Sequence, residues 1–153
     1  MINFYVLSLF PELFETFFNT SIVKKGFEKQ AFSYIIKNFR ENAVNNYGQV
    51  DDAPYGGGAG MLLRPEPIFD AYKSLNIPEK GKKVLFFSPK GKKISHKYIL
   101  DLTKLENIVL QKKSHKLFIH IMMFGVFRYI CALIIYSKQN HNGNKALFYS
   151  PRT

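Results

Sequence analysis

Between Ile2 and Leu110, short apolar runs alternate with segments whose apolar residues recur at helical spacing, and this alternation limits the architectures open to the chain. Residues 2–9, 32–38, 84–87 and 107–110 are brief, apolar and rich in β-branched and aromatic side chains, the pattern of buried strands. Pro11 and Glu12 suit the first turn of a helix over 11–18, because a missing N–H is harmless there and a carboxylate opposes the helix dipole. Thr20 or Ser21 can cap a second helix that carries Ile22, Val23 and Phe27 on one face. Pro65 and Pro67 open a third, with Ile68, Ala71, Tyr72 and Leu75. Ser95 caps a fourth, with Tyr98, Ile99, Leu102 and Leu105 at helical spacing. Strands separated by helices imply an α/β class with a largely parallel sheet. No internal repeat is visible.

The 153 residues fit one domain. A 46% hydrophobic share with 16% aromatics supplies a core and excludes an intrinsically disordered chain. A single Cys excludes a disulfide scaffold and fits a reducing compartment. Met1 is followed by no basic segment and no small-residue cleavage site, so a cytoplasmic location is expected. The net charge of +11 points to a polyanionic partner, but it is unevenly spread. Residues 1–110 hold 15 basic and 11 acidic side chains, whereas residues 111–153 hold 7 basic and no acidic ones. Globular surfaces mix both signs, so the chain divides into a mixed-charge region, residues 1–110, and a basic, apolar tail, residues 111–153.

Two loops could carry chemistry. Residues 39–64 are long, polar and glycine-rich, a length that inside a compact domain is usually functional or disordered. Within them lies Asp51-Asp52-Ala53-Pro54-Tyr55-Gly56-Gly57-Gly58-Ala59-Gly60-Met61. Glycines without a Cβ let backbone approach a ligand closely. No Lys-Ser or Lys-Thr follows, which excludes a P-loop, and Met61 stands where a dinucleotide fingerprint needs its third glycine. Composition alone fits a flexible linker equally well; Tyr55, Met61 and the Asp51–Asp52 pair argue for a framed site. The second loop, Ser88-Pro89-Lys90-Gly91, follows Phe87 at a strand end, where ligands of α/β sheets bind, although an ordinary strand-to-helix turn would read the same.

The four His residues and Cys131 have no metal-ligand spacing. His96 reads as an exposed residue of a first helical turn and Cys131 as buried rather than reactive. Lysines 80, 82, 83, 90, 92, 93 and 97 bracket strand 84–87 and suit either phosphate contact or a solvated surface.

Leu9-Phe10-Pro11-Glu12-Leu13-Phe14, Asn19-Thr20-Ser21-Ile22, Val50-Asp51-Asp52 with Pro54 to Met61, Pro65-Glu66-Pro67 and Ser88-Pro89-x-Gly91 together resemble bacterial tRNA (guanine-N1)-methyltransferase over residues 1–110. The resemblance implies an α/β methyltransferase fold of the SPOUT class with a trefoil knot, a homodimer with active sites at its interface, and S-adenosylmethionine as methyl donor. It implies tRNA as substrate, modified at the guanine 3′ of the anticodon, with no metal. It implies that Phe87, Ser88, Pro89 and Gly91 lie against the cofactor. Asp51, Asp52, Pro54, Tyr55, Gly56, Gly57, Gly58, Gly60 and Met61 would line the cofactor and guanine site.

The family continues after the strand 107–110 with Cys-Gly-x-Tyr-Glu-Gly, whereas Leu110 is followed here by Gln111-Lys112-Lys113-Ser114-His115. Methylating guanine N1 needs a general base, and the family's Asp for that role belongs to the unmatched region. No Asp or Glu follows Glu106, so the catalytic base is unassigned and the knot is expected to be incomplete. Residues 117–136 approach a membrane-span length of about 20, with Arg128 near the centre opposing insertion by about 2.5–3.5 kcal/mol. Three readings of the tail stand: an unrelated or out-of-frame extension, a segment of a non-catalytic RNA-binding remnant, or a membrane anchor. With the family's second half absent, strand 107–110 is expected to leave an apolar sheet edge and face exposed.

Overall fold

A computed structural model describes residues 1–43, 45, 47–57, 61–88, 91–92, 94–112, 125 and 128–134. The elements run β1 (Ile2–Ser8), α1 (Pro11–Phe18), α2 (Ser21–Glu28), β2 (Phe32–Asn38), a 3₁₀ turn (Phe39–Asn42), β3 (Asp51–Asp52), β4 (Leu62–Leu63), α3 (Pro65–Ser74), β5 (Lys82–Phe87), α4 (His96–Leu102) and β6 (Asn107–Lys112). Residues 128–134 are helical. β1, β2, β5 and β6 form one parallel sheet in the order β2-β1-β6-β5, and β3 and β4 make a separate antiparallel hairpin.

β6 therefore does not form an edge. It lies between β1 and β5, with Ile108, Val109 and Leu110 buried, and runs two residues past Leu110. The apolar run marks the strand, but strand order is a long-range property that the run does not encode. Among the described residues the outer strands are β2 and β5, and the exposed apolar side chains of the sheet fall on them, at Ile35 of β2 and at Val84 and Phe86 of β5.

The alternation of strand side chains produces two cores. Ile2, Phe4, Val6, Leu85, Phe87, Ile108 and Leu110 point to one face and meet Phe14, Phe18, Val23, Ile99 and Leu102 from α1, α2 and α4. Ile130, Cys131 and Ile134 of the helical residues 128–134 join the same cluster. Tyr5, Leu7 and Val109 point the other way, toward Ala71 of α3, Phe39 and Val50. Covered on both faces, β1 is buried along nearly its whole length, as central parallel strands are.

A polar ladder pins the register at the amino end of the sheet. Ser33 Oγ donates to Asn3 Oδ1 at 2.7 Å, and Asn3 Nδ2 donates to Asn107 Oδ1 at 3.1 Å, across three neighbouring strands. Tyr5 OH also donates to Asn107 Oδ1, at 3.4 Å. A one-residue slip would break these bonds and turn every strand side chain to the wrong face.

Among the described α-helices, α1 and α3 start at Pro11 and Pro65 without a side-chain cap, and only α4 has one. Ser95 caps α4, its Oγ accepting from Tyr98 N at 3.3 Å. Thr20 occupies the cap position of α2, but its hydroxyl donates back to Thr16 O at 2.7 Å and caps nothing. Ser21 then enters α2 with φ +50°.

Candidate functional site

The glycine-rich segment is the tip of a hairpin. Asp51 pairs with Leu63 and Asp52 with Leu62, and Arg64 N donates to Val50 O at 2.8 Å below them. Buried Val50 packs with Leu7, Leu9 and Phe39, so the hairpin is rooted beside the carboxyl ends of β1 and β2. Its first bend is a β-turn closed by Gly57 N to Pro54 O at 3.1 Å. Gly56 and Gly57 take φ +84° and +79°, backbone that residues with a Cβ rarely adopt. A Cβ at either would meet nothing within 4 Å, so the demand there is conformational, not steric. Tyr55 and Met61 present their side chains to solvent. Gly58 and Gly60 lie outside the described residues.

Three charged groups brace the hairpin base. Arg64 Nη1 lies 3.6 Å from Asp52 Oδ2, and Arg64 Nε lies 3.6 Å from Glu66 Oε2 in the first turn of α3. The other Asp52 oxygen, Oδ1, accepts from Ala53 N at 2.8 Å. A hydrogen bond from its own backbone amide holds the Glu66 carboxyl below the usual range against slight desolvation, and Arg64 adds to this. Arg64 is not among the residues that the sequence singles out. The available signal is an arginine two residues along from the partner of Asp52, with a carboxylate again at 66.

The second loop leaves β5 at the same end of the sheet. Phe87 turns its side chain into the core and thereby fixes the strand end. Gly91 N donates to Ser88 O at 3.0 Å, closing a tight turn. A Cβ on Gly91 would stand 3.1 Å from that carbonyl oxygen, a tight contact that glycine avoids and that any other residue would relieve only by a small shift of the turn. Pro89, Lys90 and Lys93 lie outside the described residues. Of the other lysines around β5, 80, 83, 92 and 97 are exposed. Lys82 is partly covered; hydrogen bonds to Glu79 and then Tyr72 push its ammonium up from the usual value.

An open cleft of about 640 Å³ lies between α3 and the β5–β6 face, lined by Ile68, Phe69, Tyr72, Val84 and Phe86, with Glu66 and Gln111 as polar groups. It touches the hairpin base at Leu63 and Pro65, but no described residue of 51–61 or 87–91 lines it. The hairpin base and the cleft therefore adjoin at Leu63 and Pro65.

His96 is exposed at the start of α4, and its Nδ1 lies 2.6 Å from Tyr129 OH. Cys131 is buried, and desolvation pushes its thiol well above the ordinary value. Among the described residues no group of three or more His, Cys, Asp or Glu could hold a metal ion, and no helix is long and apolar enough to cross a membrane. Most of 117–136 lies outside the described residues.

The family model described as tRNA (Guanine-1)-methyltransferase TrmD matches residues 2–115. The chain belongs to this methyltransferase family. It is 43% identical over 103 residues to the tRNA (guanine-N(1)-)-methyltransferase of Staphylococcus aureus strain MRSA252, and equally so to that of strain N315. Those matches cover 67% of this chain and 42% of each relative, so the chain spans less than half the length of the curated relatives it matches. Among solved structures it is similar to the tRNA (m1G37) methyltransferase from Aquifex aeolicus, with a TM-score of 0.71 and 29% identity over 86% of this chain and 69% of that one. The α/β parallel-sheet fold is thus that of a SPOUT-class methyltransferase.

Proposed function

We propose that this chain supplies the donor-binding and purine-binding portion of an S-adenosylmethionine-dependent methylation of guanine N1 in tRNA, at the position 3′ of the anticodon. The observation that carries this reading is the placement of two glycine-dependent turns in a member of this family, Pro54–Gly57 on a hairpin rooted beside β1 and β2 and Ser88–Gly91 after β5, both beyond the carboxyl end of the parallel sheet. Ligands of α/β sheets bind at that end. Gly56 and Gly57, with positive φ and open space where a Cβ would stand, leave backbone that can lie flat against a purine or an adenosyl group.

S-adenosylmethionine, when bound, supplies the methyl group; Ser88, Pro89 and Gly91 are the residues that would hold it. Asp51, Asp52, Pro54, Tyr55, Gly58, Gly60 and Met61 would frame donor and guanine. Methyl transfer to N1 also needs a base to take the N1 proton. Asp52 and Glu66 are engaged in bracing the hairpin, and no carboxylate follows Glu106. The resemblance assigns that base to the family segment that follows β6, and the family model's match ends at residue 115. A homodimer, a cytoplasmic location and a boundary near the end of β6 complete the reading.

The lack of late carboxylates favours one second reading, a non-catalytic basic tRNA-binding remnant. The membrane-anchor reading is disfavoured, because Ile130, Cys131 and Ile134 pack in the sheet core. Calorimetric titration with S-adenosylmethionine, beside a labelled-methyl assay on tRNA bearing guanine 3′ of the anticodon, tests these alternatives. Donor binding without turnover is the expected result. Full turnover overturns the missing base; tRNA binding without donor binding selects the remnant; binding of neither overturns both readings.

A further inference from the structure

We propose that Arg64 is a positioning residue that sets the hairpin tip through Asp52, a role that rests on the function proposed above. The network is continuous. The backbone of Arg64 is hydrogen-bonded to the hairpin base through Val50 O at 2.8 Å. Its side chain reaches diagonally, on the β4 side of the ladder, to Asp52 Oδ2 at 3.6 Å. Asp52 passes the constraint on, because its second oxygen accepts from Ala53 N, the first amide beyond the paired residues. In the other direction Arg64 Nε lies 3.6 Å from Glu66 Oε2, and Pro65 between them opens α3 with a fixed φ. One guanidinium thus ties the start of the glycine-rich tip to a helix that is itself packed on the sheet.

A planar, forked cation suits this place in a way that a point charge does not, because it must meet two carboxylates in different directions. Arg64 is half-buried, at 29% side-chain exposure against 61% and 56% for its partners, which restricts its rotamers and protects the contacts from some of the solvent screening. Exposed ion pairs contribute little to global stability. The consequence of losing this one is local: the tip, which has glycines at 56 and 57 and no buried side chain of its own among the described residues, loses its anchor at Ala53.

Hydrogen exchange of the amides of Ala53, Tyr55, Gly56 and Gly57, read beside the melting temperature, tests the role in Arg64→Met, Arg64→Lys and Asp52→Asn. Arg64→Met is expected to raise exchange at 53–57 about fivefold with the melting temperature almost unchanged. Arg64→Lys should restore part of the protection, and less of it at high salt. Asp52→Asn should mimic Arg64→Met. S-adenosylmethionine and tRNA affinities of the same variants should fall in the order of their exchange. Unchanged exchange at 53–57 would overturn the role, as would exchange raised throughout the domain together with a fall in melting temperature. If the unaltered chain binds neither ligand, the proposed function fails while the exchange result still decides the role of Arg64.

Discussion

The two faces of the sheet are built from the same strands and finished differently. The face bearing Phe4, Val6, Ile108 and Leu110 is closed by α1, α2, α4 and residues 128–134, and aromatic contacts thread through it. Phe4 meets Phe32 edge-on at 5.6 Å, and Phe18 stacks on Tyr34 at 3.7 Å. The opposite face is roofed by α3 near β1 only, leaving Val84 and Phe86 of β5 and Phe69 of α3 exposed around the cleft. The difference separates the stability of the domain from its capacity to receive another group. The closed face holds the fold, and the open face and the loops at its carboxyl end remain available.

The largest break in this comparison should come from Phe4→Ala, which empties a fully buried site in the closed face. Denaturant unfolding should show a loss of about 3–5 kcal/mol. Ile134→Ala should cost about 2–4 kcal/mol, because its side chain is buried in the same core. An unchanged midpoint would detach 128–134 from that face.

Alkaline pH offers a third measurement. The folded Cys131 thiol is raised above the free value of 9.0 by burial, so its neutral form is favoured in the folded state. Its contribution is fully present below that free value and declines as pH rises above it, by at most about 1.4 kcal/mol per pH unit. Comparison with Cys131→Ala between about pH 8 and 10 isolates this slope.

Gly57→Ala should cost about 1 kcal/mol, since φ +79° is unfavourable for alanine although space is free. Its effect on donor binding should exceed its effect on unfolding. The smallest change is expected from Phe86→Ser on the open face: stability within about 0.5 kcal/mol of the unaltered chain, with higher solubility by light scattering. A large loss there would show that the cleft is part of the folding core after all.

The sequence makes the elements legible where one periodicity runs long enough. The runs at 2–9 and 32–38 and the helical spacing from Ile68 to Leu75 correspond to β1, β2 and α3. β5 starts two residues before the expected run, at Lys82, whose ammonium lies over the Tyr72 ring at 5.2 Å while its ion pair reaches Glu79. An apolar criterion overlooks a lysine placed in a strand by such contacts. β3 and β4 are two residues each, too short for alternation to show, and they are hidden inside a loop. In the candidate site, Gly56, Gly57 and Gly91 are readable because glycine declares its backbone. Arg64 is not, because its importance depends on which strand Asp52 pairs with.

The position of β6 bears on how the chain reaches this state. Asn107 of β6 bonds Asn3 of β1 across 104 residues of sequence, and β6 alone joins the β1–β2 pair to β5. Until β6, the last strand among the described residues, arrives, the other three described strands form two unconnected pieces. Such long-range closure is slow, since the entropy of the intervening chain is lost before the contact forms. Folding of this domain should therefore be limited by a single late insertion, and substitutions in β6 should slow refolding more than equally destabilising ones in α2.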